Sequence, residues 1–301
     1  MAAETLPCFG EADYWENEYR QAIQADDEYD WLNEWEDIGW LICDLLCHDR
    51  GKSILHLGSG NSSVPCELHA LGYTRQVATD IAETCVAHMQ AKLRGTSVRF
   101  LPADACALEP RDVFGDATFD LVLEKSTLDA LECHDDRHAL LMLSLLKEAH
   151  RVLKPSGGVF LSISMHGPKI LKPFLRLRCF GWHVRCIPLL SDSSAESIGT
   201  PPLPAADDAL EMQDAQMERL RLRYLSLCEA AALAGQGARR RIWHYCYVCT
   251  KTTGTAMEKH WEEVLRAVSQ APDDAPPGEF VDMDDDGWID NETSWSIARA
   301  T

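Results

Sequence analysis

The chain has 301 residues, 46% of them hydrophobic, and a formal net charge of −20, so it holds enough apolar material for one large or two small cores. The acidity sits at the two ends: fourteen acids face one base between Met1 and Asp49, and twelve face three between Glu258 and Thr301, while the middle is close to neutral. Such ends repel a nucleic-acid backbone, and no apolar run approaches the ~18 residues of a membrane span.

The first twenty residues carry neither a basic nor an apolar leader region and are too acidic for a mitochondrial transit peptide, which reads as a cytoplasmic chain. The twelve cysteines are scattered in apolar surroundings and read as buried reduced thiols. Residues 1–49 form an acidic segment in which Trp35, Ile38, Leu41, Ile42, Leu45 and Leu46 predict a helix from Trp35 to His48. An α/β unit then occupies 50–255. Its strands are Ser53–Leu57, Gln76–Asp80, Val98–Asp104, Phe119–Lys125 and Gly158–Ser164, and its helices are one from Ser62 or Ser63 to Gly72, one from Ile81 to Leu93 and one from Arg137 to Leu153. Strands that alternate with helices predict a parallel sheet with helices on both faces, a Rossmann-like architecture. Gly181–Leu190 and Arg239–Lys251 are rich in β-branched and aromatic residues and predict two last strands, an antiparallel pair that finishes a seven-stranded sheet. Between them lies an insertion at about 191–240, a Ser/Pro-rich loop followed by a heptad-like helix through Leu210, Met217, Tyr224 and Ala231, for which core packing is the safer reading than partner docking. Residues 256–301 read as one short helix around Trp261–Val268 and an acidic, disordered tail. Asp282–Thr293 partly matches a calcium loop but places Thr293 where a bidentate Glu is needed. The Cys246–Cys249 pair has CxxC spacing in a strand, where residues three apart point to opposite faces, so no metal is assigned.

In a doubly wound sheet the ligand lies beyond the carboxyl ends of the strands. After the first strand comes Gly58-Ser59-Gly60-Asn61-Ser62; after the second comes Asp80, placed for the two ribose hydroxyls; after the third comes Asp104-Ala105, at an adenine edge; after the fourth comes Glu124-Lys125. The full G-x-G-x-x-G and the G-K-[ST] phosphate loop are both missing, which disfavours a pyrophosphate and favours S-adenosylmethionine, a nucleoside without phosphate. Each acid alone is an ordinary loop residue; the series in register carries the signal.

Three motifs carry a family resemblance. "DYWENEYR…YDWLNEW", "LHLGSGNSSVPCEL" and "VLEKSTLDAL" resemble the YWxxxY…YDW, LGCGNS and LEKGTLDAL segments of class I S-adenosylmethionine-dependent methyltransferases, with Ser59 for Cys and Ser126 for Gly. More narrowly they resemble the methyltransferase-like proteins that modify lysines of elongation factor 1-alpha. The resemblance spans roughly residues 13–190 and resumes near 241–251. It implies that Trp15, Tyr19 and Trp31 fold over the cofactor, against the alternative of a helix packed on the sheet edge. It also implies that Gly58, Gly60, Asn61, Asp80, Ile81, Asp104, Ala105 and Lys125 are cofactor positions, Lys125 through its backbone or aliphatic stem because an ammonium beside a sulfonium is unfavourable. Glu124 and Asp129 are the candidates for orienting a lysine amine or taking its proton, with helix capping or ion pairing as the alternative. The implied partner is a basic protein such as elongation factor 1-alpha, steered by the acidic ends, with no nucleic acid and no membrane. The rivals are a citrate synthase-type substrate, a small metabolite, and a non-catalytic interaction protein that keeps the fold.

Overall fold

Ile54–Leu57, Ile-Leu-His-Leu, is buried along its whole length, which is why an imidazole can sit in it only with a hydrogen-bond partner and why the rest of it is aliphatic. It is the first strand of a sheet described by a computed structural model that covers residues 9–24, 30–134, 137–190, 217, 219 and 242–251. In chain order the elements are α1 (Ala12–Gln24), α2 (Trp35–Leu45), β1 (Ile54–Leu57), α3 (Val64–Ala70), β2 (Gln76–Asp80), α4 (Glu83–Lys92), β3 (Arg99–Pro102), β4 (Leu121–Lys125), α5 (Thr127–Glu132), α6 (His138–Val152), β5 (Val159–Ser164), α7 (Pro168–Leu175), β6 (Trp182–Leu190) and β7 (Ile242–Lys251).

The sheet has seven strands in the order β3-β2-β1-β4-β5-β7-β6. The first five are mutually parallel, and β7 inserts antiparallel between β5 and β6. Pairing of Leu57 with Glu124, Glu124 with Ser162, and Ser164 with Tyr245 brings the carboxyl ends of β1, β4 and β5 and the beginning of β7 to one edge. The strand order reverses at β1 and β4, so a crevice opens there.

Side chains alternate between two cores, as the pleat requires. Leu55, Val122, Phe160 and Cys249 pack with α6 and α7 on one face; Ile54, Leu121, Leu123 and Cys246 pack with α2 and α3 on the other. Cys246 and Cys249 are thus separated by the sheet, as the strand reading requires. Lys251 closes the far end by donating to the carbonyls of His150 (2.8 Å) and Leu153 (3.0 Å), at the C-terminus of α6, where a cation complements the helix dipole.

Three helices go beyond the sequence reading. α1 packs on α4, with Tyr19 in a small cluster with Ala82, Cys85 and Met89. α5 is only six residues long. α7 holds Pro168 and Pro173 within eight residues, a composition that reads as a break rather than a helix. In the insertion, Met217 is helical and buried in the core beside α2. The remaining readings there, the short helix near Trp261 and the calcium-like loop lie outside the described residues. Among the described residues no helix is long and apolar enough to cross a membrane.

Candidate active site

The loop after β1 turns at Gly58 and Gly60, with φ of +58° and +53°. Both glycines are required. A Cβ at Gly58 comes within 2.2 Å of Thr127 Oγ1 on α5, and one at Gly60 within 2.4 Å of the Tyr19 hydroxyl on α1. Asp80, at the end of β2, fixes the same loop. Its Oδ2 accepts from the Gly60 N–H (2.8 Å) and its Oδ1 from the Ala82 N–H (3.0 Å). Burial raises its pKa, and the backbone donors around it pull the other way.

Of the expected residues, Tyr19, Trp31, Gly58, Gly60, Asn61 and Lys125 line one pocket, together with Asp30, His56 and Ser59. Trp15 stands behind it, packed on Trp31 at 5.8 Å and on Tyr19 at 5.9 Å, with its indole N–H on the Phe9 carbonyl (2.6 Å). Ile81 and Asp104 are exposed at the adjoining strand ends, and Ala105 is half-buried against the core beneath. Ala103 N–H donates to the Asp80 carbonyl (3.0 Å), which ties the β3 end to the β2 end. His56 is held as a neutral ring. Gln76 spends its amide hydrogens on the Pro65 and Tyr73 carbonyls, so its Oε1 accepts from His56 Nε2 (2.9 Å). Burial pushes the His56 pKa down to about 4.

Glu124 is 1% exposed. Its Oε2 accepts from the Thr127 (2.9 Å) and Leu128 (3.1 Å) N–H groups and so caps α5. Burial, then the neighbouring Asp129, raises its pKa to about 8. Asp129 accepts from the Ser164 hydroxyl and from the Met165 N–H (3.1 Å). His166, on the loop after β5, places Nε2 3.4 Å from Glu132 Oε2 and 3.8 Å from Asp129 Oδ1. Met165 and Ile170 beside it are large apolar side chains left exposed.

Ser126 joins β4 to α5 with φ +67°. A left-handed conformation costs an L-residue roughly 1–2 kcal/mol, and the Ser126 hydroxyl offsets part of that at the Asp129 carboxylate. Ser126→Gly is therefore expected to stabilise the fold by about 0.5–1 kcal/mol after the added chain entropy of glycine, read as a rise of about 2 °C in Tm. An unchanged or lower Tm would show that the hydroxyl contact outweighs the strain.

A family model described as "Methyltransferase domain" matches residues 55–161, which run from β1 through the middle of β5. The mouse "EEF1A lysine methyltransferase 4" is 30% identical over 187 residues, covering 59% of this chain and 69% of that one. The chain belongs to the class I S-adenosylmethionine-dependent methyltransferases. The mouse "eEF1A lysine and N-terminal methyltransferase" is 32% identical over 200 residues, 64% of this chain, and this chain spans only about a quarter (27%) of its length. A solved Haemonchus contortus "Phospholethanolamine N-methyltransferase 2", 14% identical, aligns over 82% of this chain and 60% of that one with a TM-score of 0.48, too loose to add to what the strand order shows.

The family's cofactor is S-adenosylmethionine, and the pocket's residues suit it. Ser59 Oγ is buried without a hydrogen-bond partner among the described residues and lines the pocket, so it has capacity for a polar ligand. The ammonium of Lys125 is fully engaged by Asp30 and by the Trp31 and Asn33 carbonyls, so it offers nothing to a phosphate. Trp31 and Tyr19 add aromatic surface, to which a sulfonium is attracted. The sequence reading missed Asp30, Glu132 and His166, and placed Ser59 in the ligand loop without a role of its own. Asp30 had a signal: it is the lone acid between two aromatics in Tyr29-Asp30-Trp31, and Lys125 is a cation in need of a counter-charge. His166 had none, because a lone histidine after a strand is indistinguishable from a loop residue.

Proposed function

We propose that this chain transfers a methyl group from S-adenosylmethionine to the ε-amine of a lysine in a basic protein of the elongation factor 1-alpha type. The observation that carries this reading is the juxtaposition, beside the cofactor pocket, of His166, Glu132 and Asp129 with the exposed Met165 and Ile170. A lysine side chain has an apolar stem and a cationic head. Met165 and Ile170 suit the stem, and the carboxylates suit the head. Bound in its pocket, the cofactor supplies an electrophilic methyl, and transfer forms an N–C bond while the S–C bond breaks and S-adenosylhomocysteine leaves. The amine must first lose its proton, since a free lysine has a pKa of about 10.4. Desolvation at the site lowers that value. His166 Nε2 is buried beside Glu132 and Asp129 and makes no hydrogen bond among the described residues; it is the group proposed to take the proton, with Asp129 orienting the amine and Glu124 behind it. The names of the relatives support the elongation factor substrate, and with it a cytoplasmic location.

The test is labelled-methyl transfer to purified elongation factor 1-alpha, with the modified residue located by mass spectrometry. Labelling on lysine is expected, and kcat/KM is expected to fall at least about threefold between roughly 50 and 300 mM salt with kcat unchanged, because the acidic ends of the sequence steer a basic partner through screened charge. A flat salt response removes the steering, and labelling confined to small metabolites removes the protein substrate.

A further inference from the structure

We infer that Lys125 is a positioning residue that latches the N-terminal segment over the cofactor pocket. The inference rests on the family's cofactor occupying that pocket. The ammonium of Lys125 sits at the carboxyl end of β4 with its side chain 8% exposed. It has three hydrogens, and residues 30–33 supply three acceptors: the Asp30 carboxylate, the Trp31 carbonyl (2.5 Å) and the Asn33 carbonyl (3.2 Å). Burial lowers its pKa, while Asp30 and then Glu34 support the charge.

The contacts do not end at Lys125. The second oxygen of Asp30 accepts from the Ser63 N–H (3.2 Å) and hydroxyl (3.0 Å) at the start of α3. The side-chain oxygen of Asn33, itself 4% exposed, meets His244 Nδ1 of β7 at 2.9 Å. Asp30, Trp31 and Asn33 thereby tie this stretch to three elements, β4, α3 and β7. Trp31 lies within the tied stretch and forms a wall of the pocket. It packs edge-on against Phe9 (6.4 Å) and Trp15 (5.8 Å), which join it to α1. That helix has its own anchor in Glu16, which accepts from the Thr84 N–H (3.1 Å) and hydroxyl at the first turn of α4.

The pocket is therefore bounded on one side by the β1 loop and on the other by chain in which the buried Lys125–Asp30 ion pair is the charged link, supported by the Trp31 and Asn33 carbonyls and by the Ser63 and His244 contacts. Exit of a ligand that size requires the strap to part from the domain, so the Lys125–Asp30 pair sets how fast S-adenosylhomocysteine leaves. It also accounts for a lysine beside a sulfonium site: its charge is balanced by Asp30 and its hydrogens are spent on the strap.

The test uses the full chain as wild type, Lys125→Met, Asp30→Asn and the double variant. Hydrogen exchange in the ligand-free protein is read at residues 30–33, and stopped-flow displacement gives the dissociation rate of S-adenosylhomocysteine. Each single variant is expected to speed strap exchange and ligand dissociation about tenfold, with exchange in β1 and β5 unchanged. The double variant is expected to match the singles, because both break one device. Ser63→Ala, which removes only the hydroxyl supporting Asp30, shifts both readouts the same way by a smaller factor and keeps the comparison readable if a charge variant unfolds. Additive effects in the double variant, or faster dissociation from Lys125→Met with strap exchange as in wild type, would overturn the latch and return Lys125 to direct cofactor contact. If wild type does not bind S-adenosylhomocysteine, the cofactor reading of the pocket fails, and strap exchange in the ligand-free protein still decides the latch.

Discussion

Asp80→Ala is expected to weaken S-adenosylmethionine binding by at least about 100-fold, measured by calorimetric titration of the folded protein. Two effects add. The carboxylate accepts from the Gly60 and Ala82 N–H groups, and both are buried in the turn that shapes the pocket; each orphaned donor costs about 1–3 kcal/mol. A carboxylate has roughly four lone-pair sites, and the backbone donors of Gly60, Ala82 and Ile81 leave one for the ribose hydroxyls proposed here as its ligand. A hydrogen bond to a charged acceptor contributes about 1.5–3 kcal/mol, so loss of the loop's rigidity and of these bonds together exceeds the ~2.7 kcal/mol that a 100-fold change represents. Asp80→Asn is not conservative at this position. One amide face presents donors to a backbone N–H, so the loss is expected to be nearly as large. Binding within about threefold of wild type in both variants would remove Asp80 from the site.

Much of this arrangement was legible before the structure. β2 spans the five residues that periodicity indicates, and α6 lies within one residue of its expected ends at each terminus. Both are long or wholly buried, so their pattern is not diluted. The antiparallel β6–β7 pair was readable because Trp182–Leu190 and Ile242–Lys251 are dense in β-branched and aromatic residues. α5 was not, since six residues give less than two turns of periodicity and its capping carboxylate, Glu124, belongs to the preceding strand. α7 was hidden by its prolines. At the site, the glycines and Asp80 declare themselves because backbone geometry restricts which residues fit. The partnership of Lys125 with Asp30 does not, because it joins residues 95 positions apart, and no local pattern encodes such a contact. The sequence places the start of α3 at Ser62 or Ser63, and the structure divides the work between them. Ser63 occupies the N-cap position without a capping bond, since its hydroxyl serves Asp30; Ser62 Oγ instead accepts from the Val64 N–H (3.3 Å).

Glu124→Gln is expected to be more stable than wild type at pH 8 by at least about 2 kcal/mol and to lose that advantage near pH 5, measured by denaturant unfolding at both values. The folded-state pKa of Glu124 is raised to about 8 from 4.5, so between those values the folded chain holds a proton that the unfolded chain has released. Stability therefore declines as pH rises through this window and levels off above about 8; a full shift of this size corresponds to roughly 5 kcal/mol. Asp129, raised by burial as well, adds a decline of the same sign. Gln at position 124 keeps an acceptor for the α5 N–H groups but does not titrate. Glu124 Oε1 and Ser162 Oγ, on paired residues of β4 and β5, are both buried with no partner but each other, and a proton on the carboxyl gives that hydroxyl a donor. An equal difference between the two proteins at both pH values would show that Glu124 ionises freely in the fold. The same titration divides its two roles. Were Glu124 rather than His166 to accept the lysine proton, it would work only once ionised, so the methylation rate would rise through about pH 8 while the fold weakens and Glu124→Gln would lose that limb. Should the limb persist in Glu124→Gln with cofactor affinity intact, Glu124 is the cap of α5 alone and the proton passes through His166.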